Sequence, residues 1–417
     1  MNAPHPHIVI IGAGQAAASV IGAFRKYNDA SSITLIGDEG CLPYQRPPLS
    51  KQYLMGEYEA AQLQLHPESW YQSRGITLRL GDRATKIDRA NQTILLTSGD
   101  QVHYDKLVLA TGATPRMLPP SLMDSNISDD LIFTIRNQQD ITRLSPKMKS
   151  GAHLCVIGGG YIGLEAAAVA RKLGLRVTLC EGAPRILGRV ACTQTADYFH
   201  ALHRQHQVEI HTECQITKLT QTDQASIHVI RQDHPLIEAD IVIIGIGVTA
   251  NKQLALDAGI DCDEGIRVDA FGRTTDSNIF AAGDCTSFSF NGENIRLESV
   301  GNAVAQGEIV GLNLAGQETQ YAPHPWFWST QYDCNLQIAG LNRHYDAVLI
   351  RNSPDLKGKS HWYYANDRLV AVDAMNDPAS YMIAKKMLEL GKSIPRSLVA
   401  DETSDLKAYF KQHKNPA

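Results

Sequence analysis

The chain has 417 residues, more than a single hydrophobic core usually holds, so two or three domains are expected. Hydrophobic residues make up 43% of the sequence and charged residues 20%, a balance that is typical of soluble globular proteins. The formal net charge of −5 does not favour a nucleic-acid partner, and no apolar run approaches the length of a membrane span.

The first predicted element is a βαβ unit at the start of the chain. The stretch HIVIIGAGQAAASVIGAFRKY (7–27) predicts a buried strand, a glycine turn and a helix, and SSITLIGDEG (31–40) predicts the next strand. Because no basic segment precedes the apolar run, we interpret it as a strand and not as a signal peptide, and we expect a cytoplasmic protein.

The turn of this unit carries a dinucleotide-binding motif. Gly12 permits the tight turn, Gly14 lets the backbone approach a pyrophosphate, and Ala17 is small enough for helix–strand packing. The start of the following helix would offer N–H groups to the phosphates. Asp38 is the residue expected to bind ribose hydroxyls, and its alternative interpretation is a turn residue.

A proline-rich segment, CLPYQRPPLSK (41–51), follows the second strand. Proline fixes φ and has no N–H donor, so a stiff, non-helical segment that ends in Lys51 is expected. Arg46 is interpreted as a phosphate or surface contact. Cys41 stands alone, since none of the eight cysteines has a CxxC spacing, and this argues against a zinc site, an iron–sulfur cluster or a dithiol pair.

The βαβ pattern returns at HLCVIGGGYIGLEAAAVARKLGLRVTLCEG (153–182). Here the glycine motif is complete, with Gly158, Gly160 and Gly163, and Glu181 ends the second strand. A carboxylate at that point binds a ribose 2′-OH and repels a 2′-phosphate, which favours NADH over NADPH. Two later apolar strands, in 104–115 and 239–251, are expected to close the first and second units.

Two dinucleotide sites in one chain suggest a flavin and a nicotinamide cofactor. The segment TTDSNIFAAGDCTS (274–287) supports the flavin, because it predicts a strand that ends in Gly283 beside Asp284. Asp284 and the adjacent backbone N–H groups could meet a ribityl chain, whereas the alternative makes Asp284 a turn residue.

After residue 320 the sequence predicts a small α+β domain. Short strands are expected in 324–342, 347–352, 360–367 and 368–376, followed by a helix at 378–391. In the strand that contains WFW, Trp326 and Trp328 would share one face and Phe327 would take the other. The recurrence of histidine every three residues at 200, 203 and 206 is interpreted as an exposed polar helix face, in preference to a metal site.

The predicted fold class is α/β, with two Rossmann-like dinucleotide-binding domains and a small C-terminal α+β domain. We expect a discontinuous FAD domain at 1–112 and 247–320, an NAD domain at 113–246 and the C-terminal domain at 321–417.

Several segments together resemble one enzyme family over essentially the whole chain. They are GAGQAA (12–17), LVLATGATPR (107–116), GGGYIGLE (158–165), AAGD (281–284), PYQRPPLSK (43–51) and PWFWSTQYD (325–333). The chain is similar to the FAD-dependent NADH:ferredoxin reductases of bacterial oxygenase and cytochrome P450 systems. The proline and tryptophan segments are the specific parts, since many flavoenzymes share the glycine motifs. One departure is Thr330, where these reductases usually have aspartate.

The resemblance implies a set of cofactor contacts. For FAD they are Ala16, Asp38, Lys51, Ala84, Arg136, Asp284 and Val300, with Trp328 beside the flavin. For the nicotinamide cofactor they are Gly160, Ile162, Glu181 and Gly245, with Glu165 near the nicotinamide. Cofactor contacts are also assigned to Gly12, Gly14, Ala17, Arg46, Thr111, Gly112, Gly158, Gly163 and Gly283.

Lys51, Glu165 and Trp328 are the candidate catalytic residues. An ammonium near the flavin would favour hydride acceptance, and if buried it would need a countercharge, which Glu165 could supply. The alternative makes Lys51 a solvated lysine and Glu165 an acid at a helix start.

The expected activity is electron transfer from NADH through FAD to a small [2Fe–2S] ferredoxin that serves a P450 or a ring-hydroxylating oxygenase. The expected protein is a monomer or weak dimer, with no metal site, nucleic-acid partner or membrane insertion. The alternatives are a rubredoxin reductase, a thiol-dependent peroxide or disulfide reductase that uses Cys41, and a relative that uses this fold in assembly and signalling.

Overall fold

The computed structural model describes residues 5–223, 226–353 and 357–414. The strands, in chain order, are β1 Ile8–Ile11, β2 Ile33–Gly37, β3 Ile76–Leu80, β4 Ala84–Asp88, β5 Thr93–Leu96, β6 Gln101–His103, β7 Lys106–Leu109, β8 Ala113–Pro115, β9 Ile132–Phe133, β10 His153–Ile157, β11 Arg176–Cys180, β12 Val208–His211, β13 Ile216–Gln221, β14 Ile227–Arg231, β15 Ile237–Ala239, β16 Ile241–Ile244, β17 Val248–Ala250, β18 Ile266–Arg267, β19 Ile279–Ala281, β20 Thr286–Phe290, β21 Glu293–Ile295, β22 Trp326–Gln331, β23 Cys334–Gly340, β24 Ala347–Asn352, β25 Lys359–Ala365 and β26 Arg368–Met375.

Helices connect or cover these strands. The α-helices are α1 Gln15–Phe24, α2 Ala60–Leu63, α3 Glu68–Gln72, α4 Gln138–Leu144, α5 Tyr161–Lys172, α6 Thr193–Gln205, α7 Gln253–Asp257, α8 Val300–Leu314, α9 Pro378–Glu389, α10 Arg396–Ala400 and α11 Leu406–His413. Short 3₁₀ turns lie at Pro47–Ser50, Pro120–Leu122 and Ser145–Lys147.

The chain divides into two compact units, each made of several segments. The first holds Met1–Arg46, Ala60–Thr114 and Val248–Pro323, and the second holds Pro47–Glu59, Pro115–Gly247 and His324–Ala417. The proline-rich segment is therefore split, with Cys41 in the first unit and Lys51 in the second. The boundaries of the three expected domains stay a prediction.

The first unit is built on a parallel five-stranded sheet. Its strand order is β19-β7-β1-β2-β3, so the closing strand expected in 104–115 lies next to β1. Residues of β1 and β2 are buried along their whole length, as expected of parallel strands that are covered on both faces. Smaller sheets, β4-β5-β6 and β18-β20-β21, belong to the same unit.

A second parallel five-stranded sheet forms the centre of the second unit. Its order is β12-β11-β10-β16-β9, and β16 is the strand expected in 239–251. The antiparallel strands β13, β14 and β15 pack an apolar face against this sheet, with Leu219 and Val229 fully buried.

The C-terminal part of the second unit is an antiparallel sheet with three helices after it. The strand order is β22-β23-β26-β25-β24, and α9 packs on β23 and β26 through Tyr381, Ala384 and Met387. All the strands and the helix that the sequence predicts here are present. The predicted fold class, two Rossmann-like sheets and a small α+β domain, is confirmed. Of the helices in the described ranges, none has the length and apolar character needed to span a bilayer.

Candidate active site and dinucleotide-binding turns

The turn after β1 has the shape of a phosphate cradle. Gly12 has φ +107°, and a Cβ there would lie 2.1 Å from the carbonyl oxygen of Ala110, so only glycine fits. A Cβ on Gly14 would meet no described atom within 4 Å apart from its chain neighbours. No described side chain caps α1, and its first turn holds no acid. Open space above unpaired N–H groups and a positive helix end suits a pyrophosphate.

A second helix of the first unit lies against this turn. The backbone N–H of Gly283 donates to Gln306 Oε1 at 2.8 Å, and a Cβ on Gly283 would lie 3.1 Å from the Cβ of Ala16. Asp284 follows as a half-buried residue, and Val300 is the first residue of α8. The structure thus places four of the predicted FAD contacts, Ala16, Gly283, Asp284 and Val300, on elements that pack together.

Thr111 and Gly112 form a turn that is hydrogen-bonded to Asn251, which lies 140 residues after Thr111 in the sequence. Thr111 Oγ1 donates to the carbonyl oxygen of Asn251 at 2.7 Å, and Asn251 Nδ2 donates back to the Thr111 carbonyl at 2.8 Å. Gly112 has φ +67° and its carbonyl accepts the N–H of Asn251 at 2.9 Å. These three hydrogen bonds between two loops fix the end of β7 beside the first glycine turn.

Asp38 and Arg46 both follow β2 in the first unit, but their surroundings differ. Asp38 is exposed after β2. Arg46 Nη2 forms an ion pair with Glu39 Oε1 at 2.6 Å, and Tyr44 donates to the same carboxylate at 2.5 Å. Burial acts to lower the pKa of Arg46, but interactions with Tyr44, Glu39 and Asp284 outweigh it and the pKa is raised. Sequence reasoning missed Glu39, whose only signal was its place in GDEG.

The glycine turn after β10 repeats the design of the first. Gly158 has φ +109°, and a Cβ there would lie 2.5 Å from the Gly245 carbonyl oxygen. A Cβ on Gly163 would lie 2.1 Å from the Gly158 carbonyl oxygen, so the complete motif is a packing requirement. Gly160 precedes α5 without a side-chain cap, and the nearest atom to its Cβ position is 4.0 Å away. This turn also fits a pyrophosphate.

Glu181 is bound directly to the second glycine turn. Its Oε2 accepts the backbone N–H of Gly159 at 2.6 Å, and its Oε1 accepts that of Ala183 at 2.7 Å. These bonds hold the carboxylate at the end of β11, where ribose hydroxyls are bound in this fold. Ile162, in the first turn of α5, is 42% exposed, which is unusual for isoleucine and leaves an apolar surface beside the turn.

Lys51 and Glu165 form a buried ion pair within the second unit. Lys51 Nζ lies 2.6 Å from Glu165 Oε2, and the two residues are 9% and 2% exposed. Lys51 also donates to the Pro47 carbonyl at 3.2 Å, and Ser50 Oγ donates to Glu165 Oε2 at 2.5 Å. The alternative interpretation, a solvated lysine and an ordinary helix-start acid, is wrong for this pair.

The first strand of the C-terminal sheet contributes to the same pair. Ser329 Oγ donates to Glu165 Oε1 at 2.7 Å, and Phe327 packs on Tyr161 with ring centroids 4.8 Å apart. The opposite face of β22 carries Trp326 and Trp328, whose rings stack at 5.4 Å. The predicted alternation is therefore present, and Ser329, which sequence reasoning missed, is on the face that the alternation assigns to Phe327.

Two of the remaining predicted residues are on other elements than those that form the ion pair. Ala84 is the first residue of β4 in the first unit, and the N–H of Arg136 donates to Asp140 Oδ2 at 2.8 Å beside the start of α4. The roles assigned to all of these site residues remain predictions.

His203 differs from its expected environment. It is fully buried in α6 and its Nε2 lies 2.8 Å from Gln331 Oε1, whereas His206 is exposed. The interpretation of the histidine repeat as an exposed face is therefore wrong for His203. No cluster of three or more His, Cys, Asp or Glu in the described ranges is arranged to hold a metal ion.

The environment of Cys41 does not favour a reactive thiolate. Burial, with the nearby Glu39 carboxylate, raises the pKa of the Cys41 thiol to about 11. Reactive cysteines have pKa values below that of a free thiol, because the thiolate is the nucleophile. At neutral pH, Cys41 is a protonated, half-buried thiol.

Comparison with known proteins agrees with this geometry. Residues 6–307 match the family model described as pyridine nucleotide-disulphide oxidoreductase, and residues 326–410 match the one described as reductase C-terminal. Rhodocoxin reductase of Rhodococcus erythropolis is 38% identical over 98% of this chain and 95% of its own length. Putidaredoxin reductase CamA of Pseudomonas putida is 36% identical, over 98% and 97%.

The solved structures include a close match to the fold. The crystal structure of the covalent putidaredoxin reductase–putidaredoxin complex matches with a TM-score of 0.94 and 34% identity, over 99% of this chain and 100% of that one. With both family models matched and relatives aligned from end to end, the chain belongs to the pyridine nucleotide-disulphide oxidoreductase family and carries its reductase C-terminal domain.

Proposed function

We propose that the protein is an NADH-dependent flavoprotein reductase that passes electrons from NADH through FAD to a [2Fe–2S] ferredoxin serving a cytochrome P450 or a ring-hydroxylating oxygenase. The observation that carries this proposal is the buried pair of Lys51 and Glu165, in which Glu165 belongs to the helix that follows a complete glycine motif. Relatives aligned over the whole chain include putidaredoxin reductase, and the solved complex of that protein contains putidaredoxin.

FAD would be held mainly by the first unit. The proposed contacts are Gly12, Gly14, Ala16, Ala17, Asp38, Arg46, Ala84, Thr111, Gly112, Gly283, Asp284 and Val300, together with Lys51, Arg136 and Trp328. The uncapped start of α1 would receive the pyrophosphate. When bound, FAD supplies the means to take two electrons from NADH and deliver them one at a time.

The nicotinamide cofactor would be held by the turn after β10. Gly160 leaves room for the pyrophosphate, Gly158, Gly163 and Gly245 allow the close packing of the turn, and Ile162 offers an apolar surface. Glu181 would accept hydrogen bonds from the ribose hydroxyls and would repel a 2′-phosphate, which gives NADH the preference.

Lys51 and Glu165 would act as a preorganised charge pair. The ammonium is fixed by Glu165 and by the Pro47 carbonyl, so it needs no reorganisation when negative charge develops nearby. Glu165 provides the countercharge that a buried ammonium requires. No acid–base triad is needed for hydride transfer, so the chain supplies position and electrostatics.

We further propose that the protein acts in the cytoplasm and is a monomer or a weak dimer. A [2Fe–2S] ferredoxin is preferred to a rubredoxin as the partner because relatives named as ferredoxin reductases reach 36% identity with this chain, whereas a rubredoxin-NAD(+) reductase reaches 33%.

Rapid mixing with NADH tests the proposed chemistry. We expect the purified holoprotein to be reduced by NADH within seconds and then to reduce a [2Fe–2S] ferredoxin faster than a rubredoxin. Lys51→Met should slow flavin reduction at least about tenfold, since it removes a charge that stabilises the transition state. Lys26→Met, at an exposed lysine after α1, is the matched control and should leave the rate unchanged. Flavin bleaching that takes minutes in the unaltered protein would contradict the reductase.

Cys41→Ser separates the proposal from a thiol-dependent peroxide or disulfide reductase. Because the Cys41 thiol is protonated at neutral pH, we expect the variant to keep NADH-driven ferredoxin reduction within about twofold of the parent. A loss of turnover in a variant that retains FAD would favour the thiol mechanism instead.

A further inference from the structure

A chain of hydrogen bonds continues inward from Glu165. Ser329 Oγ donates to Glu165 Oε1 at 2.7 Å, and Gln331 Nε2 donates to Ser329 Oγ at 3.1 Å. His203 Nε2 lies 2.8 Å from Gln331 Oε1, and the Tyr332 hydroxyl lies 3.3 Å from His203 Nδ1. The chain therefore joins α5, β22 and α6, which are all parts of the second unit.

The direction of every bond in this chain follows from its end at Glu165. An ionised carboxylate only accepts, so Ser329 must donate its one proton to it. Ser329 Oγ then accepts from the Gln331 amide nitrogen, which leaves Gln331 Oε1 to accept from His203 Nε2–H. A neutral imidazole has one protonated nitrogen, so Nδ1 is an acceptor and takes the Tyr332 hydroxyl proton. All four donors point towards Glu165.

Burial protects this chain from competition with water. Gln331 and His203 are fully buried, and Ser329 is 1% exposed. Burial also lowers the pKa of His203 to about 4, which agrees with a neutral ring at physiological pH. Bonds aligned head to tail in a low-dielectric interior polarise one another, so each strengthens the next.

We propose that Ser329, Gln331 and His203 are positioning residues that hold the Glu165 carboxylate in place against Lys51 through this one-way donor chain. The proposal rests on the proposed role of the Lys51–Glu165 pair and adds residues that would act through Glu165. Lys51 and Ser50 bind one carboxylate oxygen, and the donor chain binds the other. Both oxygens are thus anchored from opposite sides, which fixes the rotation of the carboxylate as well as its position.

The tautomer of His203 is a direct test that needs no turnover. In ¹⁵N spectra of histidine-labelled protein, the hydrogen-bond chain predicts a neutral His203 ring in which Nε2 is protonated and Nδ1 is not. The loss of a signal in the His203→Gln variant would assign that signal to His203. A His203 protonated on Nδ1 would reverse the donor order at Gln331 and overturn the proposal.

Two substitutions of His203 separate positioning from packing. In His203→Gln the side-chain amide can reach the place of Nε2 and still donate to Gln331, whereas the shorter amide of His203→Asn cannot. We expect the flavin-reduction rate with saturating NADH to fall about tenfold in His203→Asn and to stay within about threefold of the parent in His203→Gln. Equal rates in both variants and the parent would overturn the proposal.

Ser329→Ala provides a second route if His203→Asn does not fold. It removes the final donor to Glu165 and should slow flavin reduction about tenfold, while leaving the dissociation constant of NAD⁺ within about twofold. An unchanged rate would overturn the proposal.

Glu165→Gln distinguishes failure of the donor chain from failure of the proposed function. If Glu165→Gln slows flavin reduction but the His203 and Ser329 variants do not, only the donor chain is disproved. If Glu165→Gln itself has no effect, the proposed role of the ion pair fails and the donor chain fails with it.

Discussion

Glu181, which we propose sets the cofactor preference, is a single side chain that is held by two backbone N–H groups. Because its charge is fixed at the end of β11, a 2′-phosphate would meet a carboxylate that cannot turn away. We expect Glu181→Ala to lower the preference for NADH over NADPH about tenfold or more, as measured by kcat/KM for each cofactor. An unchanged ratio would show that another residue selects the cofactor.

The role of a single residue can be predicted from the sequence when its residue type or its spacing within a motif indicates that role. Gly158, Gly163 and Glu181 follow from a motif whose geometry is local, and the structure gives a steric reason for each glycine. Ser329 and Gln331 could not be predicted in this way, since Ser329 meets Glu165 across 164 residues and has no motif of its own. Their contribution depends on tertiary packing between a helix and a strand.

At the scale of elements, α1 and α8 pack backbone to backbone through glycine. A Cβ on Gly307 would lie 2.5 Å from the Ala16 carbonyl oxygen, and one on Gly311 would lie 2.5 Å from that of Val20. This contact brings the start of α1 and its glycine turn against the strand end that carries Gly283. The position of the proposed FAD site therefore depends on how closely two helices approach.

Two glycine substitutions should separate this packing from cofactor binding. In Gly14→Ala the added Cβ would lie more than 4 Å from every described atom other than its chain neighbours, so we expect a stable protein. The methyl group would occupy the space proposed for the pyrophosphate, and we expect the FAD content to fall. Gly307→Ala must push the helices apart and should cost about 1–3 kcal/mol of unfolding free energy. FAD content and chemical denaturation measure the two effects. Full FAD content in folded Gly14→Ala would contradict the assignment of this turn.

The elements were predictable where periodicity was strong. The two βαβ units and the C-terminal strands follow from apolar runs and alternation, although the prediction does not separate β22 from β23 within 324–342. The small sheet β4-β5-β6 was missed because strands such as Ala84–Asp88 are short and half polar, with only Ala84 and Ile87 buried. Such strands are held by their neighbours more than by their own propensity.

For the whole molecule, buried ionisable groups make stability depend on pH. Burial lowers the pKa values of His203 and His361 to about 4, so below pH 6.5 the unfolded chain binds protons that the folded chain excludes. Asp373 acts in the opposite direction, because burial raises its pKa to about 6 and the folded chain keeps a proton that the unfolded chain loses. Two histidines against one aspartate give a net loss of stability as the pH falls from 6.5 towards 4.

His203→Gln should remove one of these contributions. Between pH 7 and pH 5 we expect the unfolding free energy of the parent to fall by about 2 kcal/mol more than that of the variant, since a histidine pKa that drops from 6.5 to about 4 has most of its effect in that range. Chemical denaturation at the two pH values measures the difference. Parallel losses in both proteins would mean that His203 titrates normally in the folded state.

The alternation of β22 places two sets of side chains on opposite faces of one strand. Phe327, Ser329 and Gln331 face the interior of the second unit, where Ser329 and Gln331 hold Glu165, while Trp326, Trp328 and Thr330 occupy the opposite face. Thr330, which stands where similar reductases usually have aspartate, bonds across the hairpin to Asn335 and touches none of the interior chain. We therefore expect substitutions of Thr330 to leave the bond between Ser329 and Glu165 intact. A one-residue deletion between Phe327 and Ser329 would move the residues on one side of it to the opposite face, so Phe327 and Ser329 could no longer face the interior together.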